Sequence, residues 1–408
     1  MSDFAVLRTP SQVLFGTGMA ATVGKIAARY GARALVCTDA AVAETEGFAT
    51  VVGSLRGAGI QVTVFDAAVV DVPMTTIEAA VATGRAAEPD VVVAVGGGSV
   101  IDLAKATALL LRHPGPLSRY YAVGSVPGQI APLIALPTTA GTGSEVTPVA
   151  VITDAERGMK VGVASTHLIP RDAICDPLLT VGCPPAVTAH AGIDALSHAI
   201  EAAMAIDEPL SPAIADRVQV GRNLLSDGLA MIAVGHLARH LVRAVDDGAD
   251  LEARSGMLYG SLVAGIAFAN AGVSAAHALQ FAIGAATGTS HGLGTGLMLP
   301  YVMEYNRPAR EAVLAQIASA LAEGLGAGAP ADAVGVVHEL GQRIGLPRSL
   351  AELDLTLEEL PGLARDSVGI KRLIDNNPRP LDVPALEAIL TAAWHGDPSQ
   401  VAATAAPA

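Results

Sequence analysis

The chain has few aromatic residues: 3% of 408 positions, with one tryptophan. That leaves little for base-stacking surfaces. A formal net charge of −14 repels phosphate backbones and anionic membranes. Neither nucleic acid nor a membrane is therefore an expected partner. Charged residues make up only 16%, against 51% hydrophobic. Such a balance is too apolar for a disordered chain and sufficient for large cores. Cysteine is scarce as well. Cys37, Cys175 and Cys183 are odd in number and form no C-x-x-C pair, so reduced thiols and a cytoplasmic setting are expected. No uninterrupted apolar run reaches the roughly 18 residues of a membrane span. The opening "MSDFAVLRTPSQVLFG" has no basic region followed by an apolar one, so no signal peptide is expected.

What is present divides into two halves. In the first, "RALVCTD" (33–39), "QVTVFD" (61–66), "DVVVAVGGG" (90–98), "PLIALPTT" (132–139) and "AVITD" (150–154) read as short buried strands. Helical patterns at 19–31 and 75–89 lie between them, giving the βαβ rhythm of a parallel sheet covered on both sides. Beyond "CPP" at 183–185 strand candidates almost vanish, and helical runs are expected over 211–230, 250–270, 308–325 and 383–395. The expected organisation is an α/β domain over 1–184, a helical domain over 185–396 and a disordered tail over 397–408.

Four stretches could carry chemistry. "VVVAVGGGSVIDLAK" (91–105) is a strand, three glycines and a serine that opens a helix. Gly96, Gly97 and Gly98 let a ligand approach bare backbone, and Ser99 lies where free N–H groups and the helix dipole favour a pyrophosphate. Asp102 and Lys105 follow on the same helix. "GTGMAA" (16–21) is a weaker glycine motif, because the preceding "QVLFG" makes a poor buried strand. Asp39 ends a strand. There it can bond ribose hydroxyls and disfavour a 2′-phosphate, or cap the next helix, and the two roles are compatible. The loop from Thr138 and Thr139 through Ser144 is crowded with hydroxyls and glycines, as a nucleotide-lining loop would be.

The fourth stretch is "AGIDALSHAIEA" (191–202), an apolar helix that carries Asp194 and His198 one turn apart. Such a pair is half of a metal site, or a buried hydrogen-bonded pair. His277 enters one later helical run, and His291 begins the next after "TGTS". Two helices meeting at that loop could bring both rings together. Three imidazoles and one carboxylate suit Fe²⁺ or Zn²⁺ with room for a substrate oxygen.

Taken together, "FGTG", "GGGSVIDLAK", "PTTAGTGSEVT", "GIDALSHAIEA", "HALQFAIGAATGTSHG" and "NNPRP" (376–380) resemble the iron-containing (group III) alcohol dehydrogenase family over nearly the whole length. The resemblance implies an α/β Rossmann-like N-terminal domain plus an all-α C-terminal domain, the dehydroquinate synthase-like fold, with a cleft between them. It implies that Asp194, His198, His277 and His291 ligate a metal, Fe²⁺ or alternatively Zn²⁺. It places the NAD pyrophosphate on Gly96, Gly97, Gly98 and Ser99 and the nucleotide along Thr138 and Thr139. It also gives cofactor selection to Asp39 and a cofactor contact to Lys160. A homo-oligomer, dimeric or larger, is expected. One position departs from the pattern: where many alcohol-oxidising members have a second histidine, one turn after His277, this chain has Phe281. That ring cannot relay a proton, and it makes the pocket drier.

The expected activity is NAD-dependent alcohol dehydrogenase or aldehyde reductase chemistry on a small alcohol or aldehyde. A maleylacetate-reductase-like enzyme is one rival, but that kind typically lacks the full ligand quartet. A polyol dehydrogenase would hold zinc through another pattern. A non-catalytic binding protein on the same fold is the third alternative.

Overall fold

The computed structural model describes residues 4–157, 159–327 and 332–401. The chain folds into two compact units. One is Arg8–Cys183; the other runs from Pro184 onward and includes the start of the chain up to Leu7.

The first unit is built on strands β1 (Gln12–Phe15), β2 (Arg33–Cys37), β3 (Gln61–Phe65), β4 (Val91–Gly96), β5 (Leu133–Pro137) and β8 (Asp172–Cys175). They form one parallel sheet in the order β1-β8-β5-β4-β2-β3. Helices α1 (Val23–Ala27), α2 (Ala40–Ala43), α3 (Glu46–Gly57), α4 (Met74–Ala87) and α5 (Gly98–Arg112) belong to the same unit. The apolar runs are continuous because both faces of the sheet are covered. In β4, Val91, Val93 and Val95 join a core with Val23 and Ile26 of α1 and Val51 and Leu55 of α3. Val92 and Ala94, on the opposite face, join Ile77 of α4 and Ile101 of α5. The period-two alternation of a strand thus feeds two separate cores.

Two expectations change here. "AVITD" is not part of the parallel sheet. β6 (Val149–Asp154) pairs antiparallel with β7 (Met159–Ala164) as a separate two-stranded hairpin. "QVLF", discounted as a strand, is β1, an edge strand whose four residues are all only half-buried. Half-burial at an edge is why its apolar signal is weak. The helical reading of 19–31 shrinks to a 3-10 turn, Met19–Thr22, followed by α1.

The second unit comprises α6 (Pro185–Met204), α7 (Leu224–Asp246), α8 (Leu251–Ala271), α9 (Ala275–Thr287), α10 (His291–Leu325), α11 (Ala333–Arg343), α12 (Leu360–Val368), α13 (Lys371–Ile374) and α14 (Val383–His395). Among the described residues no strand follows β8. α6 packs against α7, α8 and α10. Every residue from Gly192 to Met204 is buried, as in a helix surrounded by others. At Gly192 a Cβ would collide with Leu241, so glycine lets α6 and α7 approach closely.

The helix expected over 211–230 instead begins at Leu224, where Asn223 and Ser226 form a capping box. Residues 212–215 make only a 3-10 turn. The run at 308–325 is the end of the longer α10, which contains Pro300 and Pro308 and departs from helical geometry at Arg310. Prolines inside it hide its true start from a periodicity reading. The first described residues, expected with the sheet, pack with the helices: the Leu224 N–H donates to the Phe4 carbonyl, and Phe4 packs with Ile214 and Val220. In the expected tail, residues 402–408 lie outside the described residues, while Val401 is fully buried and donates to the Pro398 carbonyl. Among the described residues, no single helix is long and apolar enough to cross a membrane.

Candidate functional site

α6 places Asp194, His198 and Glu201 on one buried face, at i, i+4 and i+7. α8 and α9 meet at an angle of 103°. The corner turns through Gly272, at φ +85°, to Ser274, and His277 follows in the first turn of α9. α9 ends at Gly288 in the left-handed conformation, and His291 is the first residue of α10. The four side chains singled out from the sequence therefore come from one helix and from two helix starts.

They converge. His277 Nε2 and His291 Nε2 each lie 3.7 Å from Asp194 Oδ1, and His198 Nε2 lies 3.9 Å from Asp194 Oδ2. The His198 ring stacks on His277 with centroids 4.7 Å apart, and Phe268 lies nearly parallel to it at 4.1 Å. These ligand separations are too long for hydrogen bonds. They are near the ~3.4 Å expected between donors held about 2.1 Å from one tetrahedral ion. Asp194 Oδ1 and His277 Nε2 are buried and have no hydrogen-bond partner. Buried polar atoms are rarely left so unless something else binds them. The donor set and its two orphaned atoms fit a divalent cation.

Burial pushes the Asp194 carboxyl up to about 7, with the Glu201 charge adding to the rise and His277 opposing it. Burial disfavours the charged form of His277, but the carboxylates of Glu201 and Asp194 outweigh it and raise the imidazole above its ordinary value.

The structure also supplies partners not read from the sequence. Glu201 accepts from His277 Nδ1, and the Gln280 side-chain oxygen accepts from His291 Nδ1 at 2.7 Å. The available signal for Glu201 was a carboxylate two turns after Asp194 inside an otherwise apolar helix. Phe281, one turn after His277, has its ring 5.9 Å from that of His291.

In the other unit, β4 ends at Gly96, and α5 starts at Gly98 with no side chain capping its N-terminus. Its first N–H groups are thus left for an anion. The glycines have a second reason to be there. A Cβ on Gly96 would lie 2.5 Å from Val100, and one on Gly98 would lie 2.5 Å from Thr142. Gly97 faces Thr139, and the Thr138 N–H donates to the Gly96 carbonyl at 3.1 Å, which joins the two loops. Ser99 is the second residue of the helix rather than its cap.

Asp102 and Ser144 bind one another: the Ser144 hydroxyl donates to Asp102 Oδ1, whose partner oxygen accepts from the Val151 N–H at 2.9 Å. Four oxygens surround the buried Lys105 ammonium: Ser144 Oγ at 2.9 Å, Thr147 O at 3.0 Å, Thr147 Oγ1 at 3.1 Å and Val149 O at 2.7 Å. The loop after β5 is therefore clamped to α5 by charge. Asp39 caps α2 through Oδ1, accepting from the Ala41 and Val42 N–H groups. Lys160, on β7, is ion-paired at 2.6 Å with Asp71 in the segment before α4. The "GTGMAA" loop holds an anion of its own: Gly18 and Ala20 N–H donate to the Asp176 carboxylate at 3.1 and 2.9 Å.

Residues 10–177 match the family described as iron-containing alcohol dehydrogenase, and residues 188–394 match its C-terminal domain. The chain belongs to the iron-containing alcohol dehydrogenase family. It is 37% identical over 376 residues to long-chain-alcohol dehydrogenase 1 of Geobacillus thermodenitrificans (strain NG80-2), covering 90% of this chain and 91% of that one. It is 34% identical over 372 residues to the NAD-dependent methanol dehydrogenase of Bacillus methanolicus, covering 90% and 93%. The crystal structure of a 1,3-propanediol oxidoreductase superposes with a TM-score of 0.88 at 32% identity, covering 97% of this chain and 100% of that one. This member of the iron-containing alcohol dehydrogenases is an oxidoreductase of the hydride-transferring kind.

If Asp194 and His277 hold a divalent ion, its binding should depend on pH, because burial raises the Asp194 carboxyl and the neighbouring carboxylates raise the His277 imidazole. The Asp194 carboxyl ionises only near 7 in the folded chain. Between the ordinary carboxylate range and that value the folded protein holds a proton that the unfolded chain has lost. Rising pH through this window therefore costs the metal-free protein stability. A divalent cation bound there would take that proton's place. The rise in Tm on adding Zn²⁺ should be larger at pH 8 than at pH 5.5; equal shifts would contradict this assignment.

Proposed function

We propose that Asp194, His198, His277 and His291 hold one divalent ion, and that the chain interconverts a small alcohol and its aldehyde with NAD(H). The observation that carries this reading is the pair of buried, partnerless atoms, Asp194 Oδ1 and His277 Nε2, beside His291 Nε2. The ion, Fe²⁺ or Zn²⁺, supplies Lewis acidity at the substrate oxygen. Asp194 offsets part of the ion's charge, while the rings of Phe268 and Phe281 keep water from the imidazoles they face. Position 281 offers no imidazole to accept the alcohol proton.

The uncapped start of α5 at Gly97–Ser99 binds the pyrophosphate, and Thr138 and Thr139 line its path. Asp102 and Ser144 act at one remove, by holding the loop that carries those threonines. The chain's similarity to an NAD-dependent methanol dehydrogenase supports the choice of cofactor. The named relatives act on alcohols from methanol to long chains, so chain length is open while the alcohol–aldehyde class is shared. The test is a panel of primary alcohols and aldehydes, followed at the reduced-nicotinamide absorbance, with metal-loaded and chelator-treated protein. Turnover that needs the metal supports the reading; equal turnover after complete metal removal contradicts it.

Asp39 makes a separate prediction. Both of its capping bonds go to Oδ1, so Oδ2 is left for the ribose hydroxyls. Asp39→Gly should lose about 1 kcal/mol or less of cap energy and raise NADP use relative to NAD. An unchanged ratio of kcat/KM for the two cofactors would restrict Asp39 to capping.

A further inference from the structure

We propose that Glu201 is a positioning residue that fixes the tautomer and the aim of His277. The proposal rests on the metal reading given above. Glu201 lies on α6, two turns after Asp194, and is 1% exposed. Its Oε1 accepts three hydrogen bonds from the bend between α8 and α9: the Ser274 N–H at 3.2 Å, the Ser274 hydroxyl at 2.9 Å and the Ala276 N–H at 2.9 Å. Its Oε2 accepts from His277 Nδ1.

An ionised carboxylate only accepts, so the Nδ1 atom it faces carries the proton. In the neutral ring Nε2 is then a bare lone pair. Nε2 is the atom that has no partner and lies 3.7 Å from Asp194 Oδ1. One carboxylate thus does two things. It satisfies the N–H groups at the start of α9, where Ser274 makes no capping bond with its own side chain. It also turns the lone pair of His277 toward the metal position. His291 receives a neutral acceptor instead, the Gln280 amide oxygen. At Nδ1, then, His277 faces a carboxylate where His291 faces an amide oxygen.

The glutamine variant separates the positioning role from a merely structural one. In Glu201→Gln one oxygen becomes NH₂. Three donors compete for the remaining oxygen at the bend, against one at His277, so the oxygen stays at the bend. The NH₂ then donates to His277 Nδ1 and forces the proton onto Nε2, aimed at the metal position. A substitution of nearly identical size therefore blocks the metal and keeps the bend.

The experiment uses full-length protein with ¹⁵N-histidine labelling, metal-free and read on the alkaline plateau of a pH series, and Zn²⁺ competition against a chromogenic chelator. In the wild type His277 should show the Nδ1–H tautomer, and in E201Q the Nε2–H tautomer. Zn²⁺ affinity should fall about 10–100-fold or more in E201Q. An unchanged affinity overturns the proposal, whatever the tautomer. If E201Q does not fold, the wild-type spectrum decides: Nδ1–H supports the role and Nε2–H overturns it. If the wild type binds no Zn²⁺, the metal reading fails on its own, and the tautomer still decides what Glu201 does to His277.

Discussion

His277→Ala should strip the ion from the protein and lower kcat by about 10³-fold or more. Lewis-acid stabilisation of charge on a substrate oxygen is worth several kcal/mol, and each ~1.4 kcal/mol is a factor of ten in rate. Removing the ring takes away the one donor whose metal-facing nitrogen is both buried and without a partner. The fold should survive. Glu201 keeps its three donors at the bend, so the truncation does not leave that carboxylate bare. Elemental analysis of the purified variant, with its circular dichroism and its rate, checks all three statements. A folded variant that keeps its metal would refute the ligand assignment, and one without metal but with full activity would refute the metal's part in turnover.

The second large effect should come from Lys105→Met, far from the metal ligands in the chain. The ammonium is fully buried and bonds to oxygens of Ser144, Thr147 and Val149. Burial pushes it down to about 8, with Asp102 and Glu145 holding it up. Burial likewise pushes the neighbouring Glu145 carboxyl up to about 7. Methionine fills nearly the same volume and has no charge. Breaking a buried charge arrangement by removing one partner costs about 3–5 kcal/mol. For a chain of 408 residues that is a fall in Tm of roughly 3–6 °C. The loop carrying Thr138 and Thr139 should loosen with it, so the KM for the nicotinamide cofactor should rise more than kcat falls. A variant with wild-type Tm would show that the clamp contributes nothing.

Much of this was legible in the sequence. The strands β2, β4 and β5 are apolar on nearly every position, so their runs stand out whatever the register, and β3 shows as a strand through its alternation. Asp194 and His198 were visible because polar residues interrupt an apolar helix, and His277 and His291 because each stands at a helix start. Glu201 was not. A glutamate beside an alanine-rich run reads as a solvated face until the bend at Ser274 is seen beside it. The same holds for the glycines of α5: the turn is a local feature, but the collision at Gly98 involves Thr142, which only the folded chain brings near. The "GTGMAA" loop has the sequence of an anion cradle, and its anion, Asp176, lies 158 residues beyond Gly18 in the chain. β6 was legible as a strand but not its antiparallel partner β7, because strand pairing is not written in either run alone. The capping box of α7 starts a helix inside what periodicity read as one continuous run.

The most direct test is X-ray absorption at the metal edge on protein purified without chelators and reloaded with Fe²⁺ or Zn²⁺. One ion per chain is expected, with scattering from directly bound nitrogen and oxygen at about 2.0–2.2 Å and the more distant scattering pattern of three imidazoles. The ion itself should be lost in His277→Ala, and the pattern should drop by one ring in His198→Ala or His291→Ala. A spectrum without imidazole scattering, or one that none of the three substitutions alters, would contradict the shared metal centre.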